Sequence, residues 1–238
     1  MFTKNQIVQV MDLTSLNETD TPATIIALCD KARNALGDVA AVCVYLPFVA
    51  LAKSRLPETV AVATVVNFPT GDEPAEQVIA DTQQALQDGA NEIDMVFPYR
   101  AFQQGQAEVG RDLTAKIAQI CHEKGAKLKV ILETGALNDE EIAQIAQICI
   151  QAGADFLKTS TGKIPQGASL NAAAILLQAI QKSGKQDGVG IKLSGGVREI
   201  QAAHDFMQQA ADVFGTDWVQ AKTFRIGASA LLDNLLKN

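Results

Sequence analysis

Short runs of β-branched and aliphatic residues recur along the chain, and each is followed by a segment with helical periodicity. Several runs, such as VAAVCVY and VAVATVV, are apolar at nearly every position. Parallel strands that are buried on both faces have this pattern. The predicted strands are Val8–Asp12, Val39–Tyr45, Val60–Val66, Glu92–Phe97, Leu128–Glu133, Asp155–Thr159, Val189–Leu193 and Lys222–Ile226.

Amphipathic helices are predicted between these strands. The clearest covers Asn138–Gln151, where the apolar residues fall on one face at helical spacing. Asn138 and Glu141 have the spacing of a capping box, and Gly153 follows the last turn. Two further helices are predicted in the same way, Glu76–Asp88 and Leu170–Lys182, each ending close to a glycine.

Eight strands alternating with helices favour an α/β fold, the (β/α)8 barrel, as a single domain over residues 1–238. An open, doubly wound sheet is the alternative, but no GxGxxG turn follows any predicted strand. The pattern is weakest in two places. Val8–Asp12 could continue an N-terminal helix, and Asp212–Gln220 has no clear assignment.

Composition and net charge limit the kinds of molecule that the protein can be expected to bind. The chain of 238 residues is 47% hydrophobic and carries a formal charge of -7. This balance argues against a broad surface for nucleic acid or for anionic membranes, yet one small basic pocket could still bind a phosphorylated metabolite. No signal-peptide pattern and no apolar run of about 20 residues are present, so we expect a cytoplasmic protein without a membrane span.

Cysteine and histidine usage argues against disulfides and metals. The four cysteines show no CxxC pair and lie in apolar stretches, which is typical of reduced thiols. With only two histidines, His122 and His204, a histidine-rich metal site is not expected.

Charged residues interrupt the apolar strands near their predicted carboxyl ends, where barrel enzymes have their active sites. These residues are Asp12, Asp94, Glu133, Lys158 and Lys192.

Lys158 and Lys192 lie at the ends of neighbouring predicted strands. Such strands are about 4.8 Å apart, so two inward lysines would bring their ammonium groups close together. An ordinary lysine has a pKa of ~10.4, which leaves about one amine in a few thousand neutral at pH 7. A close cation and burial can lower that pKa toward ~7–8. The pair therefore indicates a nucleophilic amine, Lys158, activated by Lys192. The alternative is a lysine whose ammonium reaches the barrel mouth or pairs with a carboxylate.

Two aspartates could serve this amine. Asp94, among apolar neighbours, could move protons with the help of water, or could only form a salt bridge to one of the lysines. Asp12 could assist through its charge, or could cap the turn before Asn17.

Glycine-rich turns follow the last two predicted strands. Gly195 and Gly196 precede Arg198, and Gly227 and Ser229 precede the final helix. Backbone N–H groups at such turns and helix N-termini bind anions, so these loops predict a phosphate site.

The STGK segment is not a P-loop. Leu157 occupies the position of the first Walker glycine, and Ile164 follows Lys163 where Ser or Thr is required. Lys163 is predicted to be a flexible cation at the barrel mouth that reaches a phosphate or hydroxyl, or else a solvated loop lysine.

Taken together, these segments resemble the deoxyribose-phosphate aldolase family. The resemblance covers almost the whole chain, through MDLTSLN, NFPTG, EIDMVFPYR, LKVILETG, AGADFLKTSTGK, GGVR and FRIGAS. It implies a (β/α)8 barrel that uses neither metal nor cofactor. It also implies a class I aldolase of deoxyribonucleotide catabolism, which reversibly cleaves 2-deoxy-D-ribose 5-phosphate to acetaldehyde and D-glyceraldehyde 3-phosphate through a lysine Schiff base. The chain could act as a homodimer.

The resemblance assigns roles to individual residues. The Schiff-base lysine of the family falls on Lys158, its activating lysine on Lys192, its proton-relay aspartate on Asp94 and its supporting carboxylate on Asp12. The phosphate contacts fall on Gly162, Lys163, Gly195, Gly196, Gly227 and Ser229.

The chain departs from the family pattern in three ways. Leu193 and Ser194 follow the activating lysine where the family often has Pro and Ala. Ala230 stands where a second serine is often found, and the tyrosines of the chain are Tyr45 and Tyr99, so a C-terminal tyrosine seen in some members has no counterpart. These positions bear on phosphate affinity and on protonation of the enamine.

Two other functions remain open at this point. One is a Schiff-base aldolase with a different donor or acceptor. The other is a phosphosugar-binding protein without turnover, against which the set of Lys158, Lys192 and Asp94 argues, because binding alone does not require an amine of lowered pKa.

Overall fold

The structure is a computed structural model and describes residues 2–237. In chain order its strands are β1 (Met11–Thr14), β2 (Arg33–Asn34), β3 (Gly37–Asp38), β4 (Ala41–Val44), β5 (Ala61–Val66), β6 (Glu92–Val96), β7 (Lys127–Ile131), β8 (Phe156–Lys158), β9 (Gly190–Ser194) and β10 (Phe224–Ala228). The helices are α1 (Lys4–Gln9), α2 (Pro22–Lys31), α3 (Val49–Arg55), α4 (Ala75–Gln87), α5 (Tyr99–Gln103), α6 (Ala107–Glu123), α7 (Asp139–Gln151), α8 (Leu170–Ser183), α9 (Ile200–Phe214) and α10 (Ala230–Lys237).

Eight of the strands between residues 2 and 237 close into a barrel in the order β1-β10-β9-β8-β7-β6-β5-β4. Every neighbouring pair in it is parallel, and β1 pairs with both β10 and β4, which closes the ring. The (β/α)8 barrel predicted from the alternating pattern is therefore confirmed. Outside it, β2 and β3 form a small antiparallel hairpin.

The first strand begins later than predicted. Val8 belongs to α1, where it and Ile7 are fully buried, and β1 starts at Met11. The helix is favoured because Thr3 and Gln6 form a capping box at its start. Of the two assignments that the sequence left open for this stretch, the helix is correct up to Gln9.

The last strand also lies further along the chain than predicted. Backbone N–H groups of Thr223 and Phe224 both donate to the carbonyl of Gln220, and this turn delays the start of β10. Gly227 and Ala228 are consequently strand residues rather than loop residues. The Asp212–Gln220 stretch contains the end of α9 and a short 3₁₀ turn, with no strand.

The predicted helices are present with shifts of one residue at their ends. Asn138 caps α7, and its side chain and that of Glu141 form the predicted capping box. Gly184 ends α8 with a φ of 68°, a conformation that favours glycine. The four cysteines are buried and free.

None of the helices between residues 2 and 237 combines the length and the apolar character that crossing a membrane would require.

Two of the charged residues lie deeper in the barrel than predicted. Lys158 does end its strand and Asp94 lies within β6 as predicted, but Asp12 and Lys192 are interior residues of β1 and β9. Glu133 lies two residues beyond the end of β7. Side chains alternate between the two faces of a strand, so the three interior residues can point into the barrel below its mouth.

Candidate active site

Seven charged side chains fill the centre of the barrel and form one network of ion pairs, which we call the barrel cluster. All seven are buried, and the most exposed of them is only 5% accessible. Its members are Asp12, Glu92, Asp94, Lys129, Lys158, Lys192 and Arg225.

Asp94 joins three of the cations. Its Oδ2 accepts hydrogen bonds from the Nζ atoms of Lys158 and Lys192, each at 2.7 Å. Its Oδ1 accepts from Lys129 Nζ at 2.8 Å. Because Asp94 Oδ2 accepts from both lysines, the distance between the two Nζ atoms cannot exceed the sum of these two hydrogen-bond lengths.

The strand register places the two lysines side by side. Lys158 on β8 and Lys192 on β9 are Cα partners. Their side chains therefore leave neighbouring strands at the same height and meet at Asp94. The adjacency proposed from the sequence is present in the structure.

A second carboxylate holds Lys192 from the other side. Asp12 Oδ2 lies 2.6 Å from Lys192 Nζ, and its Oδ1 accepts from the Arg225 guanidinium at 2.6 Å. Asp12 is fully buried and bonds to charged partners. This arrangement favours its role as a supporting charge over a role in capping a turn.

The remaining members form a lower layer. Arg225 donates to Glu92 at 2.8 Å, and Glu92 also pairs with Lys129 at 2.5 Å. Since Lys129 also bonds to Asp94, this layer supports the lysines above it. Buried charges require such pairing, because an isolated ion in a protein interior loses its hydration without compensation.

The two lysines titrate in opposite directions. Burial lowers the pKa of Lys158, Asp94 raises it, and the Lys192 cation lowers it again, so that the pKa of Lys158 lies below its usual value. Burial would also lower the pKa of Lys192, but Asp12 and Asp94 outweigh it and hold that pKa above the usual value. Lys192 is therefore the permanent cation, and Lys158 is the lysine that can lose its proton.

The two aspartates stay ionised. Burial alone would raise the pKa of Asp94, but Lys129, Lys158 and Lys192 hold it well below its usual range. The pKa of Asp12 is likewise lowered, because Lys192, Arg225 and Lys129 outweigh its burial.

The charge balance of the barrel cluster agrees with this assignment. The barrel cluster contains three carboxylates and four basic side chains. It is electrically neutral only when one base has lost its proton. Lys158 has the lowered pKa and is the base that lies at the mouth end of its strand. A neutral Lys158 thus completes the charge balance of the barrel cluster.

A cavity of about 470 Å³ opens above these lysines. Both Lys158 and Lys192 line it, whereas Asp12 and Asp94 lie below and reach it only through the lysines. The predicted phosphate contacts line the same cavity, together with Arg198. They are Gly162, Lys163, Gly195, Gly196, Gly227 and Ser229.

The loops around the cavity need several of these glycines. Gly162, Gly195 and Gly196 all have φ values near +80°, which other residues rarely adopt. At Gly227, a Cβ atom would lie 3.1 Å from Lys192 Cε and 2.9 Å from Ser194 Cβ. Glycine is therefore favoured there because the side chains of Lys192 and Ser194 pass close to its backbone.

Two contacts fix the rim of the cavity. Lys163 Nζ donates to the carbonyl of Leu16 at 2.5 Å, which ties the β8–α8 loop to the loop after β1. Ser194, one of the departures from the family pattern, donates its hydroxyl to the carbonyl of Ser160 at 2.5 Å. This hydrogen bond links the β8–α8 loop to the end of β9, beside the predicted phosphate site.

The lower layer was missed in the sequence. Glu92, Lys129 and Arg225 were read as ordinary strand residues. A usable signal was present, since Glu92 and Asp94 are two positions apart on a strand and must share a face. Two carboxylates on the inner face of one strand require buried cations nearby.

Comparison with known proteins identifies the family. The sequence matches the profile described as DeoC/LacD family aldolase over residues 6–237. The chain belongs to this family. It is an aldolase, an enzyme of the lyase class.

Solved structures of aldolases have the same fold. A chain assigned as a deoxyribose-phosphate aldolase from Coccidioides immitis is 30% identical, with a TM-score of 0.82, and the match covers 99% of this chain and 86% of that one. An aldolase named QR15 is 29% identical, with a TM-score of 0.80 and coverage of 97% and 96%. The tetrameric deoxyribose phosphate aldolase from Aeropyrum pernix is 24% identical, with a TM-score of 0.77 and coverage of 99% and 92%, and shows the fold alone.

The homodimer predicted above stays a prediction, because one structural neighbour is tetrameric.

Proposed function

We propose that this aldolase reversibly cleaves 2-deoxy-D-ribose 5-phosphate to acetaldehyde and D-glyceraldehyde 3-phosphate through a Schiff base on Lys158. One observation carries the proposal. Lys158 and Lys192 share a single oxygen of Asp94 at the floor of a cavity whose walls carry glycine-rich loops. The floor supplies an amine that can be neutral, and the walls supply groups that can bind a phosphate.

Formation of the Schiff base uses the lowered pKa of Lys158. Its neutral amine adds to the C1 aldehyde of the open-chain sugar phosphate and gives a carbinolamine. Loss of water then gives a protonated imine. Asp94 is within hydrogen-bonding distance of both lysines and can pass protons between them during these steps, while the lysines exchange protons with water in the cavity.

Cleavage follows because the protonated imine accepts electrons. Transfer of the proton from the C3 hydroxyl to a water molecule lets the C2–C3 bond break, and the electron pair of that bond moves into the imine to form an enamine. D-glyceraldehyde 3-phosphate leaves with C3 as its new aldehyde carbon. Protonation of the enamine at C2 and hydrolysis of the resulting imine release acetaldehyde and restore the amine.

The phosphate end would lie between the loops that follow β8, β9 and β10. Lys163 and Arg198 provide charge there. The turns at Gly195 and Gly196, and Gly227 near the end of β10, allow close approach of the backbone. Ala230 offers no hydroxyl to this end. We therefore assign phosphate recognition to backbone groups, Ser229 and the two cations.

An activity assay tests the substrate assignment. The purified protein should release glyceraldehyde 3-phosphate from deoxyribose 5-phosphate, measured by coupled reduction of that product, and chelators should not change the rate. Fructose phosphates and dihydroxyacetone phosphate should compete weakly. Faster cleavage of a fructose phosphate would assign a different aldolase reaction, and binding of sugar phosphate without cleavage would contradict the proposed turnover.

A further inference from the structure

Glu133 has a backbone conformation that is unusual for a residue with a side chain. It follows β7 with φ of 59° and ψ of 57°, in the left-handed region. Among the described residues other than glycine, only Asn67 also has a positive φ. Such conformations cost free energy and persist where surrounding contacts enforce them, often next to functional sites.

The side chain of Glu133 is directed into the protein. It is 0% exposed, and it forms no ion pair within residues 2–237. Instead, Oε1 accepts a hydrogen bond from the backbone N–H of Thr161 at 3.2 Å, and Oε2 accepts from the Thr161 hydroxyl. Both polar partners of this buried carboxyl group thus come from one residue of the β8–α8 loop.

The contacts continue along that loop. Thr161 Oγ1 accepts the backbone N–H of Lys163 at 3.0 Å. The N–H of Thr134, next to Glu133, donates to the carbonyl of Thr159 at 2.8 Å. The loop is therefore held to the end of β7 at two points, one through the backbone and one through the Glu133 side chain.

The loop and the carboxyl group differ in their access to the cavity. Thr161, Gly162 and Lys163 line the cavity with Lys158, and Glu133 does not. Glu133 can therefore act on a bound molecule only through the loop that it holds.

We propose that Glu133 is a positioning residue, which fixes residues 159–163 in the conformation that binds the phosphate group of the substrate. This inference rests on the function proposed above. The left-handed backbone turns the side chain of Glu133 toward the loop, and its two oxygens take up both donors of Thr161. The hydroxyl oxygen of Thr161 is then free to accept from Lys163, which sets the direction in which Gly162 and Lys163 face the cavity.

Glu133→Gly is the most informative variant. Glycine adopts a positive φ without steric cost. The change therefore removes the carboxyl group and also removes the strain of the left-handed backbone conformation. We expect the variant to fold and to raise the KM for deoxyribose 5-phosphate about tenfold or more, as loss of a buried hydrogen-bond acceptor predicts. Thr161→Val should have a similar effect, and the double variant should not exceed the larger single effect, because the two residues act together.

A substrate without phosphate separates positioning from general damage. Enamine formation from acetaldehyde exchanges its methyl protons for deuterium in D2O, which NMR can follow. This exchange uses the lysines and not the phosphate loops, so Glu133→Gly should lower its rate far less than the rate of sugar-phosphate cleavage. Asn67→Gly is the matched control, since it also replaces a residue of positive φ at the end of a strand, and its KM should equal that of the wild type.

Two results would overturn the inference: an unchanged KM for the sugar phosphate in Glu133→Gly, or a loss of acetaldehyde exchange as large as the loss of cleavage. The same data distinguish this inference from the proposed function. A wild-type protein that fails to cleave deoxyribose 5-phosphate would refute both, whereas an active wild type with an unaffected Glu133→Gly variant would refute only the role of Glu133.

Discussion

Replacing Lys192 with methionine should lower the rate of cleavage at pH 7 on the order of 10³-fold while the barrel stays folded. Lys192 lies beside Lys158 at the shared oxygen of Asp94, and its charge is one of the causes that lower the pKa of Lys158. Without that charge, the three remaining bases balance the three carboxylates only if Lys158 is protonated. Lys158 then becomes a structural cation and no longer attacks an aldehyde.

The pH dependence of cleavage shows in which direction the pKa of Lys158 changes. Activity should rise as Lys158 loses its proton, and because the pKa of Lys158 rises in Lys192→Met, the rising limb should move to higher pH. The measurement is kcat/KM for cleavage as a function of pH, with urea unfolding to verify the fold. Lys222→Met, which removes an exposed lysine at the opposite end of the barrel, is the control and should match the wild type. A Lys192→Met profile that coincides with the wild-type profile would contradict the role of Lys192.

Replacing Asp94 with asparagine should lower the free energy of unfolding by about 3–5 kcal/mol, because it removes a fully paired carboxylate from a buried network. Lys129, Lys158 and Lys192 all lose a charged partner at 2.7–2.8 Å. Cleavage should fall by about 10²–10⁴-fold, the usual contribution of a group that transfers protons.

The pH profile of this variant should differ from that of Lys192→Met. Removing a negative charge lowers the pKa of Lys158 further, so the rising limb should move to lower pH or disappear. Urea unfolding and the cleavage rate across pH measure the two effects. Asp72→Asn is the control for charge removal, because Asp72 pairs with Arg100 at the surface, where such pairs contribute about 0–1 kcal/mol. A limb shifted upward in Asp94→Asn, or an unchanged stability, would show that Asp94 does not hold the network as described.

The barrel was predictable because its strands are buried on both faces. Segments such as Ala61–Val66 are apolar at every position except Thr64, and that nearly continuous apolar pattern is visible without any partner strand. The ends of strands were less predictable, because turns and caps decide them. The capping box at Thr3 extends a helix over Val8, and the turn at Gln220 delays the last strand.

The upper part of the site was predictable for a related reason. A lysine or aspartate in an apolar strand is rare enough to draw attention, and this identified Lys158, Lys192 and Asp94 as candidates. The structure brings these three into contact. The motif resemblance supplied the loops around them.

The lower part was not predictable, because it depends on closure of the barrel. Arg225 and Asp12 are 213 positions apart in sequence, and they meet only because β10 and β1 pair. Glu133 was noted as the end of a strand, but its contact with Thr161 depends on a left-handed backbone conformation. Sequence patterns give the face of a strand on which a charge lies, and they do not give its partner.

The central claim is that Lys158 forms the covalent intermediate, and chemical trapping tests it most directly. The protein is incubated with deoxyribose 5-phosphate and sodium borohydride, digested, and analysed by mass spectrometry, with a sample lacking substrate as control. The reduced two-carbon adduct, an N-ethyl group, should appear on Lys158 and on no other lysine. An adduct on Lys192 or another residue, or no adduct in a protein that cleaves the sugar phosphate, would contradict the claim.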